Sequence, residues 1–91
     1  MIRLNVFIQA KEGKKEELLA VAKQLVEKSL QDDGCVAYDV FTSATRADVL
    51  MICETWRDAA ALAAHSASAH FTTLVPAMET LGSLKLEQFE F

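Results

Sequence analysis

The chain has 91 residues, enough for one domain, and its 9 basic against 13 acidic residues leave a net charge of −4. The basic residues are scattered, with only Lys14-Lys15 adjacent, which argues against a nucleic-acid surface, and no apolar run reaches the roughly 18 residues of a membrane span. Hydrophobic residues make up 52% of the chain, a surplus for a body that buries only about 60–65% of its unfolded surface, so an apolar face covered by a second copy is expected.

Residues 2–8 alternate, with Ile2, Leu4, Val6 and Ile8 against Arg3, Asn5 and Phe7, and this period of two predicts a first strand. The start lacks the cleavage region of a signal peptide. Cys35 and Cys53, far apart in apolar surroundings, read as buried reduced thiols, and both points suggest a cytoplasmic protein. Lys11-Glu12-Gly13 marks a turn. Leu18, Val21, Ala22, Leu25 and Ser29 then recur at helical steps, predicting a helix over 14–31 that stops before Gly34. Val36, Tyr38 and Val40 mark a second strand and 43–48 a polar connection. The run 49–53, apolar on both faces, predicts a third strand that is central and covered on both sides.

Asp58 suits the N-cap of a short helix from Ala59 to His65, and Ser66 or Ser68 can cap the next. Phe71, Leu74, Val75, Met78 and Leu81 trace that helix, with a kink or break expected near Val75 because Pro76 follows. Beyond Gly82, the residues Leu84, Leu86, Phe89 and Phe91 fit a last strand. The order β-α-β-β-α-β is the split βαβ, ferredoxin-like arrangement: one α+β domain over 1–91, an antiparallel four-stranded sheet with helices on one face. Its bare face, expected to be rich in Val, Leu, Ile and Phe, would pack on a twin to make a dimeric α/β barrel.

Most residues able to do chemistry lie between Cys53 and Phe71. His65 is the best general base near neutral pH, or else a cap on its helix; His70 reads as more exposed or interfacial. Trp56 is a pocket wall or an N–H donor to a substrate oxygen, and equally an anchor between sheet and helix. Glu54 shares a strand face with Ile52 and Trp56, where a raised pKa would suit proton transfer and a hydrogen-bonded structural role fits as well. Asn5, polar in an apolar strand, would orient a substrate or pair across a dimer. Tyr38, Met51, Phe71 and Met78 would line a pocket for a flat aromatic, or simply fill the core. His65 and His70 are five apart, about 140° around a single helix, so no metal site is expected. Flavin, phosphate-loop and Ser/His/Asp patterns are absent.

Asn5, Gly34-Cys35-x-x-Tyr38, Glu54-x-Trp56, His65 and His70-Phe71, in this order over nearly the whole chain, resemble the antibiotic biosynthesis monooxygenase (ABM) domain family. The resemblance implies a homodimer of ferredoxin-like protomers, each with a pocket between helices and sheet. It implies quinol- or polyphenol-oxidising members that need no metal or flavin, because the substrate supplies electrons to dioxygen. Haem-degrading members carry an axial histidine beyond the position of Phe71, and Thr72–Met78 holds none. The expected function is therefore a cofactor-free monooxygenase-like enzyme for a small quinol, with Asn5 and Trp56 orienting and His65 deprotonating. Two alternatives stand beside it: an isomerase of a phosphorylated quorum-sensing sugar, and a non-catalytic aromatic-binding stress-response dimer.

Overall fold

The alternation that opens the chain builds the middle of the sheet. The computed structural model describes residues 1–91 as β1 (Ile2–Ala10), α1 (Lys15–Ser29), β2 (Cys35–Thr42), β3 (Val49–Trp56), α2 (Ala59–Ser66), α3 (Ala69–Leu81) and β4 (Gly82–Glu90). The strands lie in the order β2-β3-β1-β4, with every neighbouring pair antiparallel. This is the ferredoxin-like fold, its second helical stretch divided in two, and the sheet is open rather than closed.

Register places side chains in rows across the sheet. The even-numbered positions of β1 and β3, which include Leu4, Ile8, Leu50, Ile52, Glu54 and Trp56, are buried toward the helices. Two of these rows run Val40–Ile52–Val6–Leu86 and Tyr38–Glu54–Leu4–Gln88. Against them α1 lays Leu18, Ala22, Leu25 and Ser29, one face of its 3.6-residue period.

β3 runs three residues beyond the apolar stretch 49–53, so Glu54, Thr55 and Trp56 are strand residues in register. The expected break at Pro76 does not occur: α3 continues through it to Leu81. Proline removes the N–H that would bond the Thr72 carbonyl, but Thr72 and Pro76 are both exposed, where water can satisfy that oxygen.

The other face of the sheet is not covered by the protomer, so β3 is covered on one side only. It is also more mixed than expected, with a row Phe41–Met51–Phe7–Lys85 beside a polar row Asp39–Cys53–Asn5–Glu87. Gly82 lets β4 approach β1 closely, since a Cβ there would lie 2.5 Å from the Gln9 carbonyl oxygen. No helix is long and apolar enough to cross a membrane.

Candidate active site

A cavity of about 310 Å³ lies between the sheet and the last two helices. Its floor is the two rows named above, contributed chiefly by Leu4, Val6, Ile52 and Glu54, with Leu84 and Leu86 of β4. His65 and Leu62 of α2, and Phe71, Val75 and Met78 of α3, form the roof. Leu86 is 56% exposed although it lines the cavity, so the space opens along the β4 edge. None of the lining residues is Lys or Arg.

Glu54 is the charge-bearing group set into this floor, and it is only 4% exposed. Strand alternation puts Trp56 two residues on and on the same face, and its indole Nε1–H donates to Glu54 Oε1 at 2.8 Å. Burial raises the Glu54 pKa above its ordinary 4.5, and the Trp56 and Tyr38 donors pull it partly back. Tyr38 pairs with Glu54 across the β2–β3 ladder, and its pKa is pushed far above the usual value, first by burial and then by the Glu54 charge. Tyr38 therefore stays a protonated phenol beside this carboxyl.

The histidines are arranged differently. Ser68, the N-cap of α3, accepts from the Phe71 N–H at 3.2 Å and donates to the His65 carbonyl at 2.6 Å, so the chain turns between the two histidines. They sit on separate helices, and the expected divergence of about 140° for a single helix does not hold. Both point to Asp32, which follows α1: His65 Nδ1 and His70 Nε2 each lie 2.8 Å from the same Asp32 Oδ2. A carboxylate accepts, so each ring nitrogen donates and His65 Nε2 carries the lone pair. That nitrogen is buried and has no partner. His65 is 2% exposed, its ring centroid 4.4 Å from that of Trp56, with Phe71 edge-on at 5.2 Å. Burial lowers its pKa despite Asp32, which keeps the imidazole neutral.

Gly34 makes this meeting possible. It takes φ +82°, and a Cβ there would lie 2.4 Å from the Ala61 Cβ, so only glycine lets the loop carrying Asp32 press against α2.

Of the residues singled out in the sequence, Tyr38, Glu54, His65, Phe71 and Met78 line the cavity. Trp56 is fully buried beneath it, and its indole N–H is given to Glu54 rather than left for a substrate. His70 is half-buried on the outer side of His65 and borders a separate groove. Asn5 and Met51 do not reach the cavity: odd-numbered positions of β1 and β3 face the uncovered side of the sheet, where Asn5 is in register with Cys53 and Glu87. The thiols are half-buried rather than buried, and burial raises the pKa of Cys35. Asp32 was missed, because Asp32-Asp33 before a glycine reads only as the end of a helix.

The chain matches the family model described as antibiotic biosynthesis monooxygenase over residues 1–77. It is 34% identical over 87 residues to YcnE of Bacillus subtilis, a protein provisionally named a monooxygenase, covering 96% of this chain and 92% of that one. Among solved structures, a Bacteroides thetaiotaomicron protein of unknown function, suggested to be an oxidoreductase, superposes with a TM-score of 0.97 at 51% identity, covering 99% and 96% of the two chains. A structure described as an antibiotic biosynthesis monooxygenase gives a TM-score of 0.92 at 29% identity, covering 100% and 98%. With the family model spanning most of its length and the same sheet and helices in its relatives, this chain belongs to the antibiotic biosynthesis monooxygenase family.

Proposed function

We propose that the protein is a cofactor-independent monooxygenase for a small quinol or polyphenol, working as a cytoplasmic homodimer. The observation that carries this reading is a single buried carboxyl with a raised pKa, Glu54, held by an indole N–H in the floor of a mostly apolar cavity with no Lys or Arg in its lining. Such a pocket takes a neutral flat ring, and its carboxylate can accept a phenolic proton near neutral pH. The phosphorylated sugar of the isomerase alternative calls for cationic side chains, and Arg57 is instead on the outside, bonded to Asp33 and Asp58.

Glu54 takes the role of base here in preference to His65. The His65 lone pair is buried beneath its neighbours, whereas the Glu54 carboxyl, steadied by the Trp56 and Tyr38 donors, lies in the cavity floor. Deprotonation makes the ring electron-rich enough to reduce dioxygen. A carbon–oxygen bond then forms at the ring, and the oxygen–oxygen bond breaks with the proton returned from Glu54. One oxygen atom stays on the product and the other leaves as water, so a hydroquinone and dioxygen yield a hydroxyquinone and water. The protein supplies orientation and one proton carrier.

The dimer in this reading uses the uncovered sheet face, where Phe7 and Phe41 are exposed on either side of Met51 and Phe89 is exposed further along, in the row of Arg3. The free thiols Cys35 and Cys53 suit a reducing compartment. The test is oxygen uptake with a panel of hydroquinones, beside Glu54→Gln and a protein-free autoxidation control. Uptake above the control that falls in the variant is the expected result. A protein that adds nothing to autoxidation, yet binds these quinols saturably, would leave the non-catalytic binding reading in its place.

A further inference from the structure

The cluster on the outer side of His65 has no part in that reaction. We propose that Asp32, His65 and His70 form a binding site for one divalent transition-metal ion of borderline softness, such as Zn²⁺ or Co²⁺. Three donor atoms converge there from three segments: the loop after α1, the end of α2 and the start of α3. His65 Nδ1, His70 Nε2 and an Asp32 oxygen all lie within 4.8 Å of one another, and both nitrogens are 2.8 Å from Asp32 Oδ2.

Two imidazoles and a carboxylate are a donor set typical of zinc, leaving a fourth position for water. With metal–ligand distances of about 2.0–2.1 Å, the edges of a tetrahedron are about 3.3 Å. The two 2.8 Å spacings to Asp32 therefore need to widen by a few tenths of an ångström, and the separation of the two nitrogens, within 4.8 Å, to settle on the same edge. Asp32 sits on a loop, which can give by that amount.

Charge and access agree with an ion. No Lys or Arg is bonded to Asp32, whose only side-chain partners are the two imidazoles. Of the nearby cations, Arg57 is neutralised by its bonds to Asp33 and Asp58, and Lys28 shares the groove on the His70 side without bonding Asp32. A groove of about 180 Å³, walled by Ala60, Ala61 and Ala64 with the Arg57–Asp33 ion pair at its side, leads to Asp32 and His65 from outside without crossing the cavity. On binding, the ion takes the place of the two N–H donors. His65 Nδ1 and His70 Nε2 then turn a lone pair to the ion in place of an N–H to Asp32.

The proposal does not depend on the oxygenase reading, since its readout is binding. Protein stripped with EDTA and exchanged into metal-free buffer would be titrated with CoCl₂ and then ZnCl₂. One Co²⁺ per chain is expected, with visible d–d absorption, no thiolate-to-metal charge-transfer band, and displacement by Zn²⁺. Asp32→Asn and His70→Gln should each weaken binding by at least about tenfold, with unchanged circular dichroism showing that they fold. In the wild type, Zn²⁺ should shift the ¹⁵N resonances of His65 Nδ1 and His70 Nε2, a readout that needs no variant. No bound ion, affinity retained in both variants, or a thiolate band placing the ion at Cys35 or Cys53 would each overturn the proposal.

Discussion

Glu54→Gln separates what the buried carboxyl does for stability from what it does for chemistry. Glutamine keeps the shape and the carbonyl oxygen that Trp56 Nε1–H bonds at 2.8 Å, so no cavity and no orphaned indole result. What is lost is a group that, in the folded state, titrates above its ordinary 4.5 because only 4% of it is exposed. A raised folded-state pKa means the native protein holds its proton more tightly than the unfolded chain. Its stabilising contribution is complete below pH 4.5 and is lost as pH rises through the folded-state pKa. The stability of the wild type relative to the variant should therefore fall with pH by about 1.4 kcal/mol per pH unit across that window and then level off. Urea unfolding from pH 4.5 to 8 measures this difference directly. Over the same range, quinol-dependent oxygen uptake should drop by about 100- to 10,000-fold in the variant, the usual contribution of a general base. Parallel stability curves would show that Glu54 is not desolvated as described, and unchanged uptake would remove it as the base.

Trp56→Phe should cost about 1–3 kcal/mol, because Glu54 Oε1 loses its donor while remaining buried. The same change should move the acid limb of the pH–rate profile upward, since the Trp56 bond holds the Glu54 pKa down. Gly34→Ala should destabilise by about 1–3 kcal/mol, a residue at φ +82° facing Ala61, and chemical-shift mapping should show the Asp32–His65 bond disturbed. Phe7→Glu, placed in the row beside Met51, should convert a dimer to a monomer in light scattering, and a variant that stays dimeric would move the interface off this face. The pKa of His65 is lowered, so its contribution to stability is present above 6.5 and lost as pH falls through its folded-state value. A His65→Gln variant should show a shallower loss of stability on acidification.

The strands were legible because period two survives in them: Ile2, Leu4 and Ile8 are buried as the alternation of β1 requires. That alternation also carried information against a substrate role for Asn5, which it groups with Arg3 and Phe7 on the face away from the helices. The Glu54–Trp56 bond is an i,i+2 pair on one strand face, readable once β3 is known to extend past Cys53. The Asp32–His65–His70 meeting was not readable. It depends on Ser68 turning the chain between two short helices and on Gly34 folding a loop against Ala61, and local spacing encodes neither distance. Pro76 misled because the cost of a proline in a helix falls when the carbonyl it leaves bare faces water.

The position of β1 between β3 and β4 bears on how the chain can fold. Its two sheet partners both come from later in the chain, and the β4 register sets Ile2 opposite Glu90. Synthesis must pass the first strand, helix and second strand before any rung of the ladder to β1 can form, and must reach the last strand before the ladder is complete. Closing so long a loop is entropically slow, and contacts this distant in sequence favour a late, concerted transition over stepwise growth. A fragment ending before Gly82 would leave β1 an edge strand, paired with β3 alone and bare along its other side, a template for aggregation.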